Sequence, residues 1–379
     1  MLSRNWVVAL LLLLLLHPGT PTPALAASLQ TTPPLTDVFI GGQDGYPAFR
    51  IPALLTSRRG ALLAFAEGRA SLHDHAENDI VLKRSADGGK TWGALQVVHE
   101  DGTNCLSNPT VVLVRETGRV LLMYQRYAKG FDEHKAVPGL DGPRVCRTLL
   151  QHSDDDGATW SKPVEITAQV KRPVEVTSTA SGPGVGIQLA RGKHAGRILI
   201  PFNQGPYGKW KAYAVLSDDG GRSWRYGETA AESAPGHANE MQFVELNDGS
   251  VMLNARNQGG GEKIRKVAIS RDGGETWSAT EHDRALIEPV CQASLLRHAE
   301  KVFLFSNPAS QTARTNGTVR LSRDEGRTWP VSRVLYPGSF AYSCLASLPD
   351  GSAACLFERD GTRKISFARF TLDWLEGRE

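Results

Sequence analysis

The feature that most constrains the fold is an eight-residue pattern, Ser-x-Asp-x-Gly-x-x-Trp, which occurs five times. The copies begin 68, 64, 53 and 52 residues apart and lie at Ser85–Trp92, Ser153–Trp160, Ser217–Trp224, Ser270–Trp277 and Ser322–Trp329. These residues suit a hairpin turn, because Asp can accept hydrogen bonds from nearby backbone N–H groups and Gly tolerates positive φ. Trp can hold such a turn against adjacent strands. Five copies predict a repeat architecture with one supersecondary unit per copy.

Residues 1–26 have the features of an export signal. Arg4 supplies a positive charge, Val7–Leu16 is an unbroken apolar run, and Ala24-Leu25-Ala26 fits a small-residue cleavage site. The apolar run is shorter than a membrane-spanning helix requires, and no later stretch is long and apolar enough. We therefore expect a cleaved signal peptide and a secreted or periplasmic protein without a transmembrane segment in its mature chain. A eukaryotic secretory or lysosomal route fits the same signal.

The remaining 353 residues, 27–379, are expected to form a single propeller domain. Divided among six units they give about 59 residues each, close to the roughly 40–50 residues of a four-stranded propeller blade plus longer loops. The net charge of +3 is too small to suggest binding to nucleic acid or to an acidic membrane surface. We expect a monomer with no nucleic-acid partner.

The fourth unit shows the plan of the repeat most clearly. Met241–Leu246 is predicted as its first strand, Ser250–Arg256 as the second, and Lys266–Ser270 as the third, which runs into a Ser-to-Trp box; a fourth strand would follow Trp277. In such an antiparallel meander, the start of the first strand, the end of the second and the loop after it lie at one rim. The box turn lies at the other rim, so we expect chemistry at the rim opposite the boxes. The last unit has no box, and Val38–Ile40 could close the ring by joining it.

Several charged or phenolic residues occupy positions of that opposite rim, namely Arg50, Glu67, Arg69, Asp74, Glu77, Glu240, Arg256, Arg314 and Tyr342. Any single arginine among them is most simply a solvated surface charge. Three arginines from separated units that point into one concavity would repel one another unless they share an anion, and a carboxylate or phosphate is the natural guest.

Phe49-Arg50-Ile51-Pro52, together with the five boxes, resembles the sialidase (neuraminidase) family. The resemblance continues at Leu62–Glu77, Ser181–Leu189, Asn254–Asn257, Ser306–Arg314 and Ala341–Ser343, in the family's order. It implies an all-β, six-bladed β-propeller of four-stranded antiparallel blades. It also implies a glycoside hydrolase that removes terminal sialic acids from glycoproteins, glycolipids and oligosaccharides.

The resemblance implies a role for each matching residue. Arg50, Arg256 and Arg314 would hold the sugar carboxylate, Asp74 would be the acid/base, Tyr342 the nucleophile and Glu240 the base that activates it. Arg69 would lie near the sugar's 4-hydroxyl. Asn108 falls where some members carry Asp and others Asn, which leaves the contacts to that hydroxyl open.

A tyrosine nucleophile makes physical sense for a sialoside. The sugar bears a carboxylate on its anomeric carbon, which would repel the carboxylate nucleophile of most retaining glycosidases, and sialidases are the known exception that uses tyrosine. The phenol requires a base, which Glu240 can provide, and nearby guanidinium groups favour the phenolate. We interpret the polar run around Asp74 as a loop, because no spacing in it fits a metal site. No metal or cofactor is expected.

Three functions remain open from the sequence. The first is a retaining exo-α-sialidase, and the second is sialyl transfer or formation of an anhydro product by the same site. The third is a non-catalytic propeller that binds glycans or proteins, which the boxes alone would permit. A paired Tyr and Glu argue against the third, because a lectin has no use for them.

The five cysteines, Cys105, Cys146, Cys291, Cys344 and Cys355, are odd in number, so at least one cannot pair within the chain. Cys344 and Cys355 flank the turn at Leu348–Gly351. A two-residue turn would set them opposite each other, whereas a bulge at Gly351 would shift the register by one. The sequence does not decide between these arrangements.

Overall fold

The computed structural model describes residues 32–378, whose regular secondary structure is almost entirely β-strand. The predicted signal peptide over 1–26 lies outside the described residues. The strands are β1 (Leu35–Ile40), β2 (Ala48–Thr56), β3 (Leu62–Arg69), β4 (Asn78–Ser85), β5 (Gln96–His99), β6 (Cys105–Leu113), β7 (Val120–Tyr127), β8 (Arg147–Ser153), β9 (Val164–Glu165), β10 (Thr179–Ser181), β11 (Gly184–Val185), β12 (Ile187–Gln188), β13 (Ile198–Gln204), β14 (Lys211–Ser217), β15 (Arg225–Tyr226), β16 (His237–Glu245), β17 (Val251–Gln258), β18 (Ile264–Ser270), β19 (Glu281–Ile287), β20 (Ser294–Ala299), β21 (Val302–Pro308), β22 (Thr315–Ser322), β23 (Val331–Ser347), β24 (Ala353–Arg359) and β25 (Lys364–Phe370). The described helices are α1 (Thr167–Val170), α2 (Leu372–Glu376) and a 3₁₀ turn at Gly192–His194.

The predicted four-stranded meander is confirmed. Strands β16, β17, β18 and β19 form one antiparallel sheet in chain order. Four further groups are equivalent antiparallel runs: β2 to β5, β6 to β9, β20 to β23, and β23 followed by β24, β25 and β1. In the remaining group, β13 pairs with β10 and β12 on one side and with β14 on the other, and β14 pairs with β15. Six such groups can be traced in residues 32–378, which supports the predicted number of propeller blades.

The ring closes as expected, and one long strand serves two groups. β1 pairs antiparallel with β25, so the first described strand completes the last group. The 17-residue β23 pairs with β22 through its first half and with β24 through its second half. Tyr342 therefore lies within a continuous strand rather than at the start of a separate one.

The five boxes form the predicted turns. In the first, Asp87 accepts hydrogen bonds from the N–H of Thr91 at 2.9 Å and from its hydroxyl at 2.6 Å, and Ser85 Oγ accepts one from the N–H of Gly89 at 2.9 Å. Gly89 has a φ of 88°, which a residue with a Cβ would adopt only at a cost. The Trp side chains pack into the cores between neighbouring groups, as Trp160 does against Phe65 at a centroid distance of 5.7 Å. The boxes therefore join adjacent groups.

β-Bulges interrupt four inner strands close to the rim opposite the boxes. The register shifts lie between Arg50 and Ala53 of β2, Ser107 and Thr110 of β6, Ala238 and Met241 of β16, and Phe340 and Ser343 of β23. A bulge adds a residue to one strand and redirects side chains, and bulges are frequent beside active sites. Asn108, Glu240 and Tyr342 lie inside these bulges.

The register also decides between the two cysteine arrangements. Cys344 lies opposite Leu356 and Cys355 opposite Leu345, so the two strands are shifted by one residue, and Gly351 in the connecting turn has a φ of 84°. All five cysteines of residues 32–378 are buried and free. Within the same residues we find no helix with the length and hydropathy of a membrane-crossing segment.

Candidate active site

A cavity of about 480 Å³ opens at the rim opposite the boxes. Its wall includes six of the residues predicted for the site, namely Arg69, Asp74, Asn108, Glu240, Arg256 and Tyr342. The other two, Arg50 and Arg314, lie beside the Tyr342 ring, with their guanidinium carbons 5.1 Å and 5.5 Å from its centroid. All eight residues therefore meet in one place, although they are spread over nearly the whole described chain.

A connected triad of side chains lies at the floor of the cavity. The Tyr342 hydroxyl donates a hydrogen bond to Glu240 Oε1. Arg256 Nη1 donates to Glu240 Oε2 at 2.7 Å and contacts the Tyr342 oxygen at 3.1 Å. The phenol oxygen is thus placed between a carboxylate that can accept its proton and a cation that can stabilise the resulting negative charge.

Tyr342 is a neutral phenol in the resting site. Burial, the largest effect, and the negative charge of Glu240 raise its pKa well above 10, and they outweigh the lowering effect of Arg256 and Arg314. The guanidinium groups therefore act in the expected direction without producing a resting phenolate. The phenol must lose its proton during a reaction, and the acceptor already in contact with it is Glu240.

The three arginines predicted to bind a carboxylate are held in different ways. Arg50 is fixed by Glu358, to which its Nε and Nη2 donate at 2.7 Å and 3.1 Å. Arg256 is paired with Glu240, as described above. Arg314 forms no ion pair within residues 32–378, and its Nη2 donates to the Val290 carbonyl at 3.2 Å. The positive charge of Arg314 is therefore available to an incoming anion.

Asp74 lies on the loop between β3 and β4, and its side chain is 70% exposed. It accepts a hydrogen bond from Arg69 Nη1 at 2.8 Å and a longer one from Arg50 Nη1 at 3.5 Å. Partial burial raises the pKa of Asp74, but the hydrogen bond and charge of Arg69 and the charge of Arg50 outweigh it, so the pKa is lowered. The resting Asp74 is therefore a carboxylate.

Arg69 and Asn108 share a buried anchor, Glu67, which the sequence placed at this rim without a role. Glu67 is fully buried, accepts a hydrogen bond from Arg69 Nε at 2.7 Å, and accepts another from the backbone N–H of Asn108, also at 2.7 Å. Asn108 has a φ of 57° and faces the cavity. Glu67 thus fixes both residues predicted to lie near a sugar hydroxyl.

Sequence reasoning missed two further residues. Glu358 is fully buried and holds Arg50 together with the backbone N–H groups of Ile51 at 2.8 Å and Tyr342 at 3.2 Å. A signal existed, because Glu358 lies near the end of a second strand, as Arg256 does. Glu133 lines the cavity from the loop between β7 and β8, and burial and the charges of Glu240 and Asp74 raise its pKa to about 7. No pattern in that loop pointed to it.

The arrangement combines a cluster of three arginines, a phenol hydrogen-bonded to a carboxylate, and a separate exposed carboxylate. Together with the groups of strands described above, it is the arrangement that the resemblance to the sialidases predicted for one site. The comparisons agree: residues 60–355 match the sequence profile of the BNR repeat-like domain. The chain belongs to the sialidase family.

The relatives and solved structures show how far the similarity extends. The chain is 40% identical to a sialidase of Micromonospora viridifaciens over 95% of its own length and 56% of the relative's, and 33% identical to a sialidase of Bacteroides fragilis over 84% and 61%. It thus spans little more than half the length of these relatives. The structure of Hadza microbial sialidase Hz136 has a TM-score of 0.80 at 30% identity, over 88% of this chain and 68% of that one. The intramolecular trans-sialidase of Ruminococcus gnavus has the same fold, with a TM-score of 0.79 at 22% identity over 90% and 98%.

Proposed function

We propose that the protein is a retaining exo-α-sialidase that hydrolyses terminal sialic acids from glycoconjugates through a tyrosyl-enzyme intermediate. The observation that carries this proposal is the hydrogen bond from the Tyr342 hydroxyl to Glu240, formed with Arg256 in contact with both groups and with Arg50 and Arg314 against the same ring. Membership of the sialidase family supports the substrate class.

Substrate binding begins with the sugar carboxylate. Arg50, Arg256 and Arg314 can surround a small anion, and a charge-assisted, bidentate contact is the strongest that a guanidinium group makes. Because that carboxylate is attached to the anomeric carbon, gripping it places the reacting carbon beside the phenol of Tyr342. A neutral phenol approaches this negatively charged centre without the repulsion that a carboxylate nucleophile would meet.

Cleavage then requires two proton transfers. Glu240 takes the proton of Tyr342 as the phenol oxygen bonds to the anomeric carbon, and Asp74 donates a proton to the departing glycosidic oxygen. Asp74 is a carboxylate at rest, so it must first take up a proton. The bound sugar carboxylate favours this uptake, because it offsets the charge of Arg50 and because the sugar covers the exposed Asp74 side chain.

The second half of the reaction reverses these roles. Asp74, now a carboxylate, removes a proton from a water molecule that attacks the anomeric carbon. The bond to the Tyr342 oxygen breaks, and Glu240 returns the proton to the phenol. Each displacement inverts the anomeric centre, so the released sialic acid has the configuration of the substrate.

The test is proton NMR of the first product released from a defined sialyl oligosaccharide. Release of the α-anomer of sialic acid before mutarotation is the expected result. Release of the β-anomer would contradict a double displacement, and an anhydro sugar or a new sialoside would assign the site to intramolecular or intermolecular transfer. Complete lack of turnover of sialosides of every linkage would favour a glycan-binding propeller instead.

A further inference from the structure

A buried ion pair lies in the fourth group of strands, behind the arginine cluster. Arg265 of β18 donates from Nη1 to Glu288 Oε2 at 2.8 Å, and Glu288 directly follows β19. The side chains are 0% and 1% exposed. Desolvation of two charges makes such a pair a weak source of stability, so its presence calls for another explanation.

The pair fixes the strand end that carries Arg256. Glu288 Oε1 accepts the backbone N–H of Asn257 at 2.6 Å. Arg265 donates from Nε to Asn254 Oδ1 at 2.8 Å and from Nη2 to the backbone carbonyl of Asn254 at 3.4 Å. Asn254 and Asn257 stand on either side of Arg256 along β17. The ion pair therefore holds the backbone on both sides of one member of the arginine cluster.

The same pair fixes the segment that carries the acceptor of Arg314. Arg265 Nη1 donates to the Cys291 carbonyl at 2.8 Å, and Glu288 Oε2 accepts the Cys291 N–H at 3.4 Å. Val290, which lies between Glu288 and Cys291 in the chain, has a φ of 58°, a conformation that a β-branched residue keeps only when its surroundings impose it. The Val290 carbonyl accepts the hydrogen bond of Arg314 at 3.2 Å.

We propose that Arg265 and Glu288 are positioning residues, which keep Arg256 and Arg314 at the spacing that grips the sugar carboxylate. The proposal rests on the proposed function, because it takes that carboxylate as the anion. Displacement of reacting or binding groups by about 1 Å can cost on the order of a hundredfold in rate. A rigid support for Asn254 and Asn257, within two residues of Arg256, can therefore affect how well the arginines bind the anion. Neither residue touches the cavity.

The main test replaces both charges at once. The variant Arg265→Met/Glu288→Leu leaves no unpaired charge in the interior, and such apolar replacements of buried ion pairs are commonly tolerated. Calorimetry would compare binding of 2,3-dehydro sialic acid with binding of its methyl ester, which lacks the anionic charge. We expect the affinity for the acid to fall at least about tenfold and that for the ester to change less than about twofold.

Two more variants keep the test decisive if the first fails to fold. Arg265→Lys keeps the charge opposite Glu288 but cannot reach Asn254 and Cys291 together, so it should show the same acid-specific loss. Arg265→Met/Glu288→Gln keeps an acceptor for the Asn257 N–H and should recover part of the affinity. The control is Arg197→Met at the box rim, where a buried arginine pairs with Asp218 at 2.6 Å; it should lower the melting temperature and leave both affinities unchanged.

The outcomes separate the two proposals. If the wild-type protein does not bind the acid, the proposed function is contradicted. If the wild-type protein binds the acid and the folded variants lose no affinity, or lose it equally for acid and ester, the positioning role is contradicted while the proposed function stands.

Discussion

The Tyr342 hydroxyl donates its hydrogen bond to Glu240, a residue 102 positions earlier in the chain, and both residues lie inside β-bulges of their strands. The contact gives a buried, neutral phenol a ready proton acceptor. It also explains why the raised pKa of Tyr342 is compatible with a nucleophilic role, since the proton can pass to Glu240 as the new bond forms.

Replacement of Glu240 by Gln should remove the acceptor without removing the volume. We expect kcat to fall by about 10²–10⁴-fold, the range of general acid–base contributions. The kcat of Glu240→Asp should also fall, because the shorter Asp side chain places the carboxylate farther from the Tyr342 phenol. Steady-state kinetics with a fluorogenic sialoside would measure both, and wild-type turnover in Glu240→Gln would contradict the assignment.

The loss of rate caused by replacing Asp74 with Asn should depend on the leaving group of the substrate. A natural glycosidic oxygen requires protonation, whereas an activated aryl oxygen leaves without it. The rate with sialyl oligosaccharides should therefore fall by at least about tenfold more than the rate with an aryl sialoside. Equal losses on the two substrates would show that Asp74 does not protonate the leaving group.

Glu133 should make stability fall as pH rises through the weakly acidic range. Its pKa is raised from an ordinary 4.5 to about 7, so the folded state binds the proton more tightly than the unfolded state between these values. The Gln side chain of Glu133→Gln resembles the protonated carboxyl and does not titrate. The free energy of unfolding of this variant should therefore exceed that of wild type by an amount that grows from pH 4.5 to 7 and then stays constant.

Urea unfolding at a series of pH values would measure this difference. Glu77→Gln, on the neighbouring loop, serves as the control, because Glu77 faces Lys129 at 3.3 Å with about half its side chain exposed. A Glu133→Gln curve parallel to that of wild type over the whole range would contradict the raised pKa of Glu133.

Trp224 should contribute to stability and not to chemistry. It is 5% exposed and packs into the core between the second and third groups, so Trp224→Ala should lower the free energy of unfolding by about 3–5 kcal/mol. Trp224→Phe, which keeps most of the apolar volume, should lose less. Relative activity on linkage-defined sialyl oligosaccharides should not change in either variant; a changed preference would mean that the box rim is the functional one.

The repeat and its strands could be read from the sequence because both depend on local patterns. The boxes fix the turns after Ser85 and its counterparts, and alternating apolar residues fix strands such as β17. Antiparallel pairing alone predicted that the boxes lie at one rim and that Arg50, Arg256 and Arg314 lie at the other. The structure places the three arginines together, as predicted.

The bulges and the buried carboxylates could not be read in this way. A bulge breaks the two-residue period by one position, so the pattern around Asn108 or Tyr342 gives no hint of which side chain turns into the cavity. The position of Glu358 near the end of a second strand placed it at this rim, but its contacts with Arg50 and Ile51, 308 and 307 positions earlier, exist only after the last group has packed against the first. Glu288 reaches Asn257 and Arg265 across neighbouring strands of its own group, which local patterns do not show. The loop from 129 to 144, which supplies Glu133, lacks any periodic pattern that would predict its path.

The most direct test of the account is turnover by Tyr342→Phe, which loses a single oxygen atom. We expect kcat to fall by about a thousandfold or more, while the melting temperature and the affinity for 2,3-dehydro sialic acid stay close to those of wild type. Turnover at the wild-type rate with the α-anomer still released would contradict the assignment of Tyr342 as the nucleophile, and with it the proposed mechanism.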